Sequence, residues 1–205
     1  MPSDKEVAIG AEAGLIGPVP YAKVNAKFVA RFNKRADEVM ESASAAAGGP
    51  DALDLRLEAN EELDVLVGVA SMAAATSAMH DKRRLLARVV AAALSDEASI
   101  DEAALLISAL SEIDAVHVRA LTAIGRAEDD AKASGEIGVT ARGAEKPLTG
   151  TVRQVVDKLP DPVLRKLLTV GLIEGSILWD GTSHVPGLTT FGERILADLR
   201  SVEIE

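Results

Sequence analysis

Between residues 23 and 127 apolar positions recur at three- and four-residue spacing, broken by short polar or Gly/Pro intervals. That is the period of helices that each bury one face. Residues 23–46 are predicted as the first helix, with Val24, Phe28, Phe32 and Val39 on one side. Lys23, Lys27, Arg31, Lys34 and Arg35 take the other sides and are read as a solvated face. Gly48-Gly49-Pro50 ends this helix in a hinge or loop. Asn60 is suited to cap the next helix, with Glu61 and Glu62 in its positive first turn. From Val65 to Met79 no residue is charged, and a central buried helix is expected there. The run falls short of the ~20 residues that span a bilayer. Asp81 then caps a helix to about Leu94, with Leu85, Leu86, Val89, Val90 and Ala93 buried. Lys82, Arg83, Arg84 and Arg88 are expected on or beside its exposed face. Ser99 and Glu102 form a capping-box pattern ahead of a helix to Ile113, and Asp114 caps another to about Ala127.

The pattern then changes. Residues 1–22 mix apolar positions with Gly10, Gly14, Gly17, Pro18 and Pro20, and suit an extended arm rather than a helix. Residues 128–150, with four glycines, are predicted as a linker or surface loop. Thr151-Val152-Arg153-Gln154 has the spacing of another capping box, and Leu159-Pro160 closes that helix. Asp161-Pro162 suits the start of a helix in which Leu164, Leu167, Leu168 and Leu172 face a core. Gly171 can end it in the left-handed conformation. Ser176 to Trp179 has strand character, Asp180-Gly181 suits a turn, and Leu188-Thr189-Thr190-Phe191-Gly192 leads into a last helix. Trp179 and Phe191 are expected on wing strands, buried in a small core.

The order of short helix, "GLI" exit, wing and "LT-x-FG" return resembles the back half of a winged helix. The expected architecture is therefore mainly α: an N-terminal helical bundle over 23–127 and a small winged-helix-like α+β module over 151–205. The resemblance implies a surface that meets DNA, RNA or protein. For a DNA-binding regulator, Arg165, Lys166 and Thr169 would enter the major groove from the 162–170 helix. Arg153 would touch phosphate, and the wing around Thr182, Ser183 and His184 would lie along the backbone. Arg153, Arg165, Lys166, Thr169 and His184 are the candidate contact residues.

Charge argues against that use. The net charge is −10, and residues 140–205 hold eight Lys/Arg against nine Asp/Glu. Asp161, Glu174 and Asp180 flank the candidate contacts and would repel phosphates. Nucleic-acid binding draws on a basic footprint, so any such binding is expected to be weak. The five aromatic residues are too few for a β-sandwich and suit packed helices.

Chemistry-bearing motifs are scarce. The chain has no cysteine, which excludes disulfides, thiolate metal sites and a cysteine nucleophile. His80, His117 and His184 lack metal-ligand spacing, and no phosphate loop, dinucleotide fingerprint or nucleophile elbow occurs. His117, within an apolar helix, is expected to be partly buried and hydrogen-bonded. The acids Asp96, Glu97, Asp101 and Glu102 lack an EF-hand layout and suit helix starts. The helix–acidic loop–helix run they belong to resembles one step of the tellurite-resistance-type helical domains. The longer order, with "DKRRLLARVVAAAL" and "IDEAALLISALSEIDAVHVRAL" ahead of the last module, resembles bacterial helical proteins of the abortive-infection alpha type. That resemblance implies phage defence without specifying a chemistry. The reading is a cytoplasmic, non-enzymatic bacterial interaction or regulatory protein that uses no cofactor or metal. A protein partner or self-association is expected, with no membrane contact. The alternative is a winged-helix transcriptional regulator.

Overall fold

The computed structural model describes residues 21–136, 146–177 and 183–204. The arm expected over 1–22 lies almost entirely outside the described residues, as do Trp179 and Thr182. The fold is mainly α, with nine α-helices and one two-stranded antiparallel sheet among the described residues. The helices are α1 (Tyr21–Ala47), α2 (Pro50–Ala59), α3 (Glu61–Thr76), α4 (His80–Ser95) and α5 (Ile100–Glu112). They continue as α6 (Ala115–Ala133), α7 (Gly150–Val156), α8 (Asp161–Thr169) and α9 (Thr190–Ile204). Strands β1 (Ser176–Ile177) and β2 (Ser183–His184) form a hairpin between α8 and α9.

Local chemistry accounts for most boundaries. α1 ends where Gly48 and Gly49 adopt φ of 97° and 129°, and the Gly49 N–H closes back onto the Ser44 carbonyl at 2.8 Å. Pro50 then opens α2, which the apolar pattern did not reveal because the helix buries only Leu53. Asn60 caps α3 as expected, its side chain accepting from the N–H groups of Glu62 and Leu63 at 3.1 and 3.2 Å. α8 ends in a paired closure: the Leu172 N–H reaches the Leu167 carbonyl at 2.9 Å and Gly171 N–H reaches Leu168 at 3.0 Å, with Gly171 at φ 73°.

Other expected caps are replaced. The Ser99 hydroxyl donates to the Asp96 carbonyl at 2.7 Å instead of capping α5, because a 3-10 turn over Glu97–Ser99 precedes the helix. Thr149, rather than Thr151, caps α7 by accepting from the Val152 N–H at 3.2 Å. Thr151 bonds Glu136 instead. Asp161 lies inside α8 and makes no side-chain cap, since the chain turns helical directly after Pro160. α6 runs six residues past Ala127, so the expected linker begins inside a helix whose Ala127, Glu128 and Ala131 are buried.

Among the described residues most of the buried apolar side chains form one cluster running from Val39 to Val202. α1 packs on α3 and α4, α3 on α5, and α9 on α4 and α6. The basic side of α4 is the largest departure from the expected pattern. Lys82 and Arg83 are 2% and 9% exposed rather than solvated. Lys82 donates to the Ile113 carbonyl at 2.7 Å, and burial pulls its pKa below the ordinary lysine value against the attraction of Asp114. Arg83 donates to Glu38 on α1 at 2.7 Å and to the Ser77 carbonyl at 3.3 Å. Arg84 and Arg88 reach α9, at the Val202 carbonyl and the Ser201 hydroxyl. Four cations within about two turns therefore tie α4 to α1, to the end of α5 and to α9. A polar side chain can be buried where a carbonyl or carboxylate receives it.

Phe191 also departs from the expected pattern. It sits half-buried in the first turn of α9 rather than on a wing strand. The return segment keeps an isolated pairing of Ile173 with Leu188, because Thr189 caps α9 and the helix begins at Thr190. The Thr189 hydroxyl accepts from the Gly192 N–H at 2.9 Å and donates to the Gly171 carbonyl at 2.6 Å.

Candidate functional site

The helix α8 presents Asp161, Pro162, Arg165 and Thr169 to solvent, while Val163, Leu164 and Leu167 are buried beneath. Arg165 and Thr169 share that outer face as the sequence predicts, one turn apart. The Thr169 hydroxyl is turned back onto the Arg165 carbonyl at 2.8 Å. Lys166 points aside and pairs with Glu112 at the end of α5. Arg153 is exposed on α7 and lies 3.8 Å from Asp157, the C-cap residue four positions on. His184 is exposed on β2, opposite Ser176 in the hairpin register. Among the described residues no hydrogen bond or ion pair joins any of these five side chains to another.

The local field is mixed in sign. Glu112 answers Lys166 and Asp157 lies beside Arg153. Arg194 on α9 pairs with Glu102 on α5 and approaches Asp198 at 3.9 Å. Each pairing offers an acid where a phosphate would have to sit. Phosphate binding draws on cations free to neutralise it, and Arg153, Lys166 and Arg194 each have a carboxylate beside them.

Residues outside the expected set build a more distinctive surface. α3 buries Leu63, Leu66, Val67, Ala70, Ala73 and Ala74. Its other flank carries Val65, Val69 and Met72, which are 58%, 42% and 58% exposed. These lie at i, i+4 and i+7, one stripe of a helix. The central run is therefore apolar on both sides and buried on only one. Across from it, α5 exposes Ala104 and Ser108 and, further round, Leu105 at 66%. Between the two helices lies an open groove of about 560 Å³, floored by Leu66, Ile100 and Ile107 and rimmed by the exposed carboxylates Glu61, Glu62 and Asp101. Its charge-free stripe was readable in the sequence as a helix apolar all round; the missing piece was which flank the neighbours cover.

A second apolar surface is on α1. Residues 25–31 are exposed on every side, with Phe28 at 65% and Val29 at 47%, although the pattern groups Phe28 on one side with Val39, which is buried. Phe28 and Phe32 form a tilted ring pair with centroids 6.4 Å apart. Lys27, Arg31 and Lys34 are exposed around them. Among the described residues no cluster of three or more His, Asp or Glu is placed to hold a metal, and no helix is long and apolar enough to cross a membrane. Comparison with protein-family models, curated proteins and solved structures gives no match.

Proposed function

We propose that the chain is a non-enzymatic interaction or regulatory protein that recognises a protein through the groove between α3 and α5. The supporting observation is the exposed stripe of Val65, Val69 and Met72 beside a concave apolar floor with an acidic rim. Contiguous exposed apolar surface of this kind is the usual mark of a contact site. Helical ligands are received by such grooves through side chains spaced one turn apart. The resemblance to abortive-infection alpha proteins supports a bacterial phage-defence setting for that contact.

The test is a photo-crosslinking amino acid placed at Val69 in the full chain and activated in cells. Protein adducts from position 69, absent when the same group is placed at the exposed Lys132, are the expected result. Absence of any protein adduct at 69 would overturn the reading.

The second reading is a DNA-binding regulator of the winged-helix type, favoured by the outward Arg165 and Thr169 on the helix ahead of the hairpin. Its test is a titration of random-sequence and promoter duplexes near physiological salt, where specific regulators reach about 10⁻⁸ M. The protein-contact reading expects no sub-micromolar binding. Tight binding abolished jointly by Arg165→Ala and Lys166→Ala would establish the regulator instead.

A further inference from the structure

We propose that the α3–α5 groove receives the basic N-terminal half of α1 from a second copy of this chain. The proposal rests on the interaction reading above and names its partner.

The two surfaces complement each other in chemistry. Residues 21–36 carry five Lys/Arg and no Asp/Glu. Of these, Lys27, Arg31 and Lys34 stand exposed around Phe28 and Phe32. The groove offers an apolar floor for two rings and three exposed carboxylates, Glu61, Glu62 and Asp101, for the cations. Complementary potentials of this kind steer encounter and fix register. The projecting helix also has reason to seek cover, because a short helix without packing partners is marginal in water.

The placement of the two surfaces makes the contact intermolecular. Among the described side chains, α1 is anchored through its C-terminal half, where Val39 and Ala43 are fully buried and residues 25–31 are exposed. Arg35 donates to the Ala75 carbonyl at 3.5 Å, Glu38 pairs with Arg83, and Ser42 donates to the Ala87 carbonyl at 3.3 Å. These bonds run α1 parallel to α4, so the free half of α1 extends past the C-terminal end of α3. Phe28 lies seven residues before Arg35, about 10 Å beyond that anchor at 1.5 Å per residue. The groove sits toward the opposite end of α3, with Val65 ten residues before Ala75, about 15 Å the other way. A straight helix cannot turn back over that span. One copy presents the helix at one end and the groove at the other, so association is heterologous, head to groove.

A lipid surface is the competing occupant of the α1 half, since basic amphipathic helices bind anionic headgroups. The protein's net charge of −10 opposes that approach, and it would leave the acidic rim of the groove without a partner.

The test is sedimentation velocity of the full chain across a micromolar concentration series, at low and high salt. A mass of two copies or more is expected, decreasing as salt screens the rim. Phe28→Glu and Val69→Glu alter exposed side chains, so each variant is expected to keep the wild-type circular dichroism and to sediment as a single copy. Lys27→Glu gives a second probe of the helix that leaves its apolar face intact, and it weakens association. Mixing Phe28→Glu with Val69→Glu restores a two-copy species, because the first retains a groove and the second a helix. A wild-type chain of single-copy mass throughout, association indifferent to both variants, or a mixture that stays at single-copy mass would each overturn the proposal. So would binding to phosphatidylserine vesicles that Phe28→Glu abolishes in a chain that does not self-associate. Protein adducts from position 69 in cells, with a strictly single-copy purified chain, would discard the second copy while leaving the groove reading in place.

Discussion

Lys146 and Glu128 lie eighteen positions apart and meet at 3.0 Å, in a contact that closes the C-terminal part of the fold onto α6. Glu128 is 2% exposed. Its second oxygen accepts from the Leu188 N–H at 3.0 Å, so one buried carboxylate holds both the segment before α7 and the segment before α9. Lys146 also donates to the Leu188 carbonyl at 2.5 Å and to Glu193 on α9 at 2.9 Å. Gly187 permits this approach: a Cβ there would lie 2.1 Å from a Glu128 oxygen. A buried charge is tolerable only when paired and hydrogen-bonded, and here both conditions are met.

Lys146→Ala is therefore expected to lower stability by about 2 kcal/mol. That is less than the ~3–5 kcal/mol for breaking a fully buried pair, because Lys146 keeps some access to water. For a chain of this size it corresponds to a fall of about 4–8 °C in melting temperature. Lys158→Ala, at an exposed position, should change the melt little. Equal melts for the two variants would refute the role of the buried pair.

The same lysine has a pH signature. Burial works against its charge, yet hydrogen bonds to Glu193 and Glu128 outweigh it and hold the ammonium above its ordinary pKa. A folded pKa above the unfolded one gives stability that is complete below the unfolded value and is lost as pH rises through the folded value. The melting difference between wild type and Lys146→Ala should therefore shrink above about pH 10.4, the ordinary lysine value. A difference that grows in that range would show the sign to be wrong.

Two glycines in helices should respond oppositely to alanine. Gly68 in α3 has no atom within 4 Å of where a Cβ would stand, so Gly68→Ala should stabilise by about 0.5–1 kcal/mol. In α9, a Cβ on Gly192 would stand 2.0 Å from the Leu172 carbonyl oxygen, which backbone cannot easily vacate. Gly192→Ala should cost about 1–3 kcal/mol, as overpacking does. Chemical denaturation of both variants checks the pair, and a shared sign would contradict the packing described.

Legibility followed the strength of local signals. The Asn60 cap and the left-handed Gly171 were readable because side chain and backbone needs coincide within a few residues. The mainly helical fold was readable for the same reason, from period alone. α2 was not, since one buried leucine gives no period. Lys82 and Arg83 were misplaced because their partners, Ile113 and Glu38, are distant in sequence. The groove escaped for a related reason: Val65 and Leu66 look alike until the neighbouring helices choose a flank. Of the candidate contacts, Arg165 and Thr169 share a face by helical geometry alone. The fate of Lys166 depended on Glu112, which no local rule brings near.

Phe191→Ala should cost less than the ~3–5 kcal/mol of a fully buried ring, because the side chain is half-exposed at the start of α9. A thermal melt reaching that full range would place the ring deeper than the structure does.

His117 supplies the last expectation. It forms a reciprocal cap with Asp114 at the start of α6, its Nδ1 accepting from the Asp114 N–H at 3.0 Å. Only an unprotonated Nδ1 can accept that bond. Burial lowers the pKa, Asp114 opposes the shift, and Lys166 and Lys82 add to it. With the folded value depressed, the cap's stabilisation is complete above the unfolded pKa of about 6.5 and is lost as pH falls through the folded value. Wild type should therefore lose more melting temperature between pH 7.5 and 5.5 than His117→Asn, which cannot titrate there. The cap itself is worth about 1 kcal/mol. A proton NMR titration should place the His117 midpoint below the ordinary histidine value, and a midpoint above it would mean that the Nδ1 acceptor is not what holds the start of α6.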